Sequence, residues 1–223
     1  MLPVFYSFRR CPYAMRARMA LQYSGVKVEL REVLLKDKPA SLLAIDSEAT
    51  VPLLVLPSAE VIDESWQIML WAIRQNDQDR WLGENETLLP DIEMLLEMND
   101  YSFKTDLDHY KYADRYPEYP AEYYRSLAEE FLQGLEESLC ESQYLLGGNI
   151  TAADIAIFPF IRQFASVDKP WFDRAPYPKL QQWLQALMDT DLFDSIMYKL
   201  PVWQESDQPL TFPVSENVKA AVD

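Results

Sequence analysis

The sequence predicts a small α/β unit followed by an all-helical one. Three observations carry that reading: strand-length apolar runs crowd into the first 75 residues, a polar stretch broken by glycine follows, and each long segment after it repeats its apolar residues at helical spacing.

Taken in order, "LPVFY" is a short apolar run suited to a buried strand, and Met15, Met19 and Ala20 then recur with helical period until Gly25 stops the helix. "VKVELREV" alternates through Val26, Val28 and Leu30, as a half-buried strand does. After a short helix, "VPLLVL" gives a compact strand that pairs with "AEVID" across Pro57 and Ser58. "ESWQIMLWAIRQ" closes this unit as a helix with Trp66, Ile68, Met69 and Ile73 as core candidates. Residues 1–75 form the first unit, 76–90 the linker ("NDQDRWLGENETLLP"), and 91–223 an all-helical second unit. That unit opens with a long helix carrying Ile92, Leu95, Leu96 and Phe103. Pro117 and Pro120 interrupt the chain before a second helix carrying Leu127, Phe131, Leu135 and Leu139. Further helices follow from "TAADIAIFPFIRQFASV", "PKLQQWLQALMDT" and "DLFDSIMYKL".

Composition narrows the function. A formal net charge of -16 argues against a nucleic-acid surface, which needs a basic footprint. No window approaches the roughly 18 apolar residues of a spanning helix, and the N-terminus lacks a secretory pattern, so a soluble cytoplasmic protein is expected. Two cysteines and one histidine offer neither a disulfide framework nor a zinc cluster, so no metal is expected. The charge is uneven: residues 1–38 hold eight Lys or Arg against three acids, while the remainder holds 12 against 33. A basic island therefore surrounds the first cysteine and would draw small anions.

Cys11 stands before Pro12 at the predicted helix start, with Arg9 and Arg10 beside it. Helix N-terminal amides and nearby guanidinium groups favour a thiolate, the form that attacks disulfides and electrophilic carbon. Ala14 occupies the place of a resolving cysteine, so the chemistry available is monothiol: an outside thiol must finish the cycle. Cys140, in a helical stretch without basic neighbours, reads as core filler. "ITAADI" places Thr151 and Asp154 at capping-box spacing and Ile150 and Ile155 at staple spacing, the start of a core helix.

Cys-Pro-Tyr-Ala after a first strand, Val51–Pro52 before a third strand, Glu64–Ser65 opening a helix, and a helical second half resemble the cysteine-type glutathione transferases, and the omega-like class most. The resemblance runs over essentially the whole chain, and the Thr151 box is one of its fold hallmarks. It implies a thioredoxin-like α/β N-terminal domain that binds glutathione and an all-α C-terminal domain that supplies most of the acceptor pocket. Cys11 would be the nucleophile. A cis Val51–Pro52 bond would present the Val51 backbone to the tripeptide as to an added strand. Glu64 would take the γ-glutamyl ammonium and Ser65 its carboxylate, Lys38 the glycyl carboxylate, and Tyr13 would lie beside the bound thiol. "IDSEATVP" departs from the Asn-Pro-x-Gly type of turn common in relatives. Ser7 and Tyr6 lie near the site where relatives of other classes hold an activating hydroxyl, but Cys11 is better placed at the helix start.

An acceptor pocket is expected around Tyr101, Phe103, Asp106, His109 and Tyr110, although aromatic residues at helical spacing also pack as core or dimer surface. The expected function is a glutathione-dependent thiol transferase or reductase, of thioltransferase or dehydroascorbate reductase type, with glutathione as co-substrate. Reductive deglutathionylation of quinones or ketones is a related alternative. A non-catalytic binding or regulatory protein on the same fold is the alternative of a different class. The resemblance also implies a two-fold homodimer; from the acidic charge and the lack of a spanning apolar run, no nucleic acid or membrane is expected as partner.

Overall fold

In a computed structural model, described here for residues 1–213, the first unit is built on a mixed five-stranded sheet. The strands are β1 (Val4–Ser7), β2 (Val28–Glu32), β3 (Leu53–Val55), β4 (Val61–Ile62) and β5 (Leu210–Phe212). They lie in the order β4-β3-β1-β2-β5, with only the β1–β2 pair parallel. Three helices accompany the first four strands: α1 (Pro12–Ser24), α2 (Ala40–Leu43) and α3 (Ser65–Gln75). The parallel pair needs a crossover, and α1 supplies it. Gly25 ends α1 in the left-handed conformation at φ 69°, where a side chain would be strained.

The α1 and α3 helices pack on each other, and the buried apolar residues of these helices and the sheet include Phe5, Met15, Met19, Leu30, Leu54, Ile68, Met69 and Ile73. Two charged residues join these apolar ones. Arg16 and Arg18 are each 1% exposed, so part of the basic island counted along the sequence lies inside the domain rather than facing incoming anions.

The second unit spans Asp79–Asp189 and is helical. Its helices are α4 (Leu89–Glu97), α5 (Lys104–Lys111), α6 (Ala121–Glu141), α7 (Ala152–Ala165), α8 (Lys169–Phe172) and α9 (Pro178–Met188). The expected first long helix is divided: a π-helical stretch at Met98–Phe103 joins α4 to α5. Along α6 the buried residues are Tyr124, Ala128, Phe131, Leu132, Leu135 and Leu139, a helical stripe that excludes Leu127, which is 43% exposed rather than core.

The division between the units also differs from the sequence expectation. Asp79, within the expected linker, already opens the second unit. From Thr190 onward the chain returns to the first: α10 (Asp191–Ile196) packs on α1, and β5 extends the sheet antiparallel to β2 through pairs Val28–Phe212 and Leu30–Leu210. "LTF", set between Pro209 and Pro213, is too short to register as a strand by pattern. Residues 214–223 of the expected helical unit lie outside the described residues.

The start of α7 shows how the second unit is held. The Asp154 carboxylate is fully buried and accepts hydrogen bonds from the amides of Leu145 (3.0 Å) and Thr151 (2.9 Å), the Thr151 hydroxyl (2.8 Å) and Trp183 Nε1 (2.8 Å). One side chain thus caps the helix, fixes the preceding loop and orients a core tryptophan. Replacing Asp154 by alanine should lower the unfolding free energy by about 3 kcal/mol, because several charge-assisted bonds are lost together. Urea denaturation measures it, and a loss below about 1 kcal/mol would contradict this account.

Candidate functional site

Strand β1 ends at Ser7, and the chain turns into α1 through Phe8–Cys11, the Cys11 amide donating to the Phe8 carbonyl at 2.9 Å. Cys11 occupies the N-cap position with extended backbone angles, and its own carbonyl accepts from Met15 at 2.9 Å. Pro12, the first helical residue, has no N–H to lose there and arrives with its φ pre-set. Cys11 is partly exposed, at the end of a helix whose dipole and first-turn amides favour an anion. Its Sγ donates to the Val51 carbonyl at 3.6 Å, and the Val51–Pro52 bond is cis. The cysteine and the proline turn, forty positions apart in sequence, therefore adjoin.

The loop before that turn is ordered by a residue that sequence reasoning passed over. Asp46 accepts from the amides of Glu48 (3.0 Å) and Thr50 (3.1 Å) and from the Thr50 hydroxyl (3.3 Å). Those bonds, the Thr50 amide first, hold its carboxyl below the usual range. The D-x-x-x-T spacing within "IDSEATVP" is the readable signal, an Asx-type turn replacing the Asn-Pro turn. Lys38 points its ammonium at the Glu48 carbonyl, and so buttresses the same loop.

At the start of α3, Glu64 is exposed at the N-cap position and Ser65 is 3% exposed. Ser65 Oγ accepts twice from the buried Arg16, from Nε at 3.0 Å and Nη2 at 2.8 Å. A hydroxyl with both lone pairs engaged has only its proton left to offer. The Tyr13 ring lies under the Arg16 guanidinium, 5.0 Å from centroid to carbon. The hydroxyls of Ser7 and Tyr6 are both internal: Ser7 accepts from Arg18 Nε at 2.8 Å, and Tyr6 donates to Ser41 at 3.2 Å while accepting from Arg31 at 2.6 Å.

The expected acceptor residues lie in different surroundings. Phe103 packs in the core of the second unit against Phe131 (4.9 Å) and Phe164 (5.7 Å), and buried Tyr110 lies 5.3 Å from Phe164. His109 lies against Tyr116 at 4.0 Å and Tyr124 at 4.9 Å. Tyr101 is 75% exposed. Asp106 is half buried, which raises its carboxyl above the usual range against the opposing pull of His109. Phe103 and Tyr110 thus belong to the core face of the second unit.

Cys140 is exposed, not core filler: it follows the buried Leu139 and lies about 100° further round α6. Among the described residues no group of three or more His, Cys, Asp or Glu could hold a metal ion, and no helix is long and apolar enough to cross a membrane.

Two family models match the sequence: "Glutathione S-transferase, N-terminal domain" over residues 5–80 and "Glutathione S-transferase, C-terminal domain" over 112–186. No curated protein matches. Solved structures similar to this chain include a glutathione transferase family member from Pseudomonas fluorescens Pf-5 with two glutathione bound, 18% identical with a TM-score of 0.74, covering 88% of this chain and 92% of that one. A glutathione transferase from Phanerochaete chrysosporium in complex with oxidized glutathione is 16% identical with a TM-score of 0.75, covering 87% and 94%. Glutathione transferase Omega 3C from Trametes versicolor is 15% identical with a TM-score of 0.75, covering 92% and 87%. At such identities the structural likeness bears on the fold.

The environments of Ser65 and Cys140 predict opposite sensitivities. Ser65→Ala, which takes an acceptor from a buried guanidinium, should lower stability by about 2 kcal/mol, and Cys140→Ser should change it by less than about 0.5 kcal/mol. Chemical denaturation of the two variants side by side is the check, and equal losses would contradict it.

Proposed function

The chain belongs to the glutathione S-transferase family, and from that premise we propose that it is a monothiol, omega-like glutathione-dependent thiol transferase with Cys11 as nucleophile. The observation that carries the reading is the Cys11 thiol at the N-cap of α1, bonded to the carbonyl of the residue that precedes the cis proline.

Glutathione is the co-substrate. Its cysteinyl backbone would pair with the Val51 main chain. Ser65, whose lone pairs are taken by Arg16, would donate its proton to the γ-glutamyl carboxylate, with Glu64 facing the ammonium. Lys38 would reach the glycyl carboxylate by exchanging the Glu48 carbonyl for it. Tyr13 would flank the sulfur.

The Cys11 thiolate attacks the glutathionyl sulfur of a mixed disulfide, a Cys11–glutathione disulfide forms, and the acceptor leaves as a thiolate that takes a proton from water. The thiolate of a second glutathione then attacks the glutathionyl sulfur, oxidised glutathione departs, and the Cys11 thiolate is restored. One disulfide is reduced and one formed per cycle. Dehydroascorbate and small glutathionyl adducts are acceptors of the fitting class, and a two-fold homodimer is the expected assembly.

Intact-mass spectrometry after exposure to oxidised glutathione should show one glutathione adduct, absent in Cys11→Ala and retained in Cys140→Ala. Adduct formation indifferent to Cys11 would overturn the mechanism. Turnover of a small mixed disulfide should exceed conjugation of an aromatic chloride. Conjugation alone would point to hydroxyl activation, and glutathione binding with neither activity to a binding protein.

A further inference from the structure

Ser7, the last residue of β1, lies in parallel register with Glu32, the last residue of β2. The Glu32 side chain is 10% exposed, so both of its oxygens need partners. One accepts the Arg9 main-chain amide at 2.7 Å, and the other pairs with the buried Arg18 guanidinium. Arg9 sits in the middle of the turn Phe8–Cys11, so this carboxylate holds the backbone that delivers the cysteine to its helix.

The remaining bonds converge on the same point. Arg18 also donates to Ser7 Oγ (2.8 Å) and to the Ile196 carbonyl (3.3 Å), and Arg9 Nη1 donates to the Met197 carbonyl at 3.0 Å. The Glu32 carbonyl in turn accepts the Trp203 amide at 2.8 Å. The returning C-terminal segment and the cysteine turn are thus fastened to one acidic residue. We infer that Glu32 is a positioning residue: through the Arg9 amide it keeps Cys11 Sγ over the first turn of α1, where the thiolate is stabilised. This rests on the reading of Cys11 as the nucleophile.

Glu32→Gln alone would strand the Arg18 charge, so the test uses two double variants that both remove the ion pair, in a Cys140→Ser background with one reactive thiol. Glu32→Gln/Arg18→Met keeps an acceptor oxygen for Arg9, and Glu32→Leu/Arg18→Met does not. Iodoacetamide alkylation followed against pH reports the thiol, and steady-state thiol transfer separates kcat from KM. The glutamine double should keep the wild-type alkylation midpoint and kcat within about 3-fold, whereas the leucine double should shift the midpoint up by about one unit and lower kcat about 10-fold. KM for glutathione should stay within about 2-fold in both, since the Glu64–Ser65 end is untouched.

Identical midpoints in two folded doubles would overturn the inference. Should the leucine double fail to fold, amide exchange in the wild-type protein decides: the Arg9 amide should exchange at least about 100-fold slower than a free amide, and exchange at the free rate would overturn the inference. If instead Cys11 forms no glutathione adduct while the two midpoints still differ, the catalytic reading fails and the positioning of the thiol by Glu32 stands.

Discussion

A guanidinium taken out of water has to be met by an acceptor of comparable strength, and in the first unit this requirement shapes everything around the cysteine. Arg18 and Arg16 lie two residues apart on α1 and are equally buried, but they are met differently. Arg18 is met by a full negative charge from Glu32, and Arg16 by the hydroxyl of Ser65. Removing either partner of the buried Arg18–Glu32 ion pair leaves an uncompensated charge, a cost of about 3–5 kcal/mol. Each arginine therefore fixes an element next to the candidate site: one the turn into α1, the other the start of α3. Framework and chemistry meet in the same helix.

The second unit meets a comparable demand with a carboxylate. Asp154 brings a buried negative charge to the start of α7 and satisfies it with four donors drawn from a loop, a helix cap and a core tryptophan. The outcome is again a fixed junction rather than a reactive one. Burial raises this carboxyl, while the donors around it act to lower it.

Local patterns carried the features that depend on local rules. Strand-length apolar runs, the helical repeat, the Pro12 start, the Gly25 stop and the Thr151–Asp154 box each rest on residues a few positions apart, and each was legible. What stayed hidden depends on partners distant in sequence. Arg16 and Arg18 counted as surface charge because Ser65 and Glu32, 49 and 14 positions away, do not announce themselves as acceptors. Phe103 and Tyr110 looked like parts of a pocket wall because a helix repeats its aromatic residues alike whether they face a ligand or, as these two do, Phe164. Cys140 was misplaced by one helical step of about 100° beyond Leu139. Of the candidate site, the place of Cys11 at the helix start before Pro12 was readable, and the anchoring by Asp46 and Glu32 was not.

The return of Leu210–Phe212 to β2 has a consequence for how the chain is made. A ribosome releases β1 through β4 long before it releases β5, so until then β2 presents an unpaired edge of main-chain donors and acceptors. The helical unit emerges in between. A nascent chain halted after residue 78 would therefore hold its thiol-bearing turn without the Ile196 and Met197 carbonyls, and its sheet without a flank. Completion of the cysteine turn's surroundings waits until Ile196 and Met197 have been made.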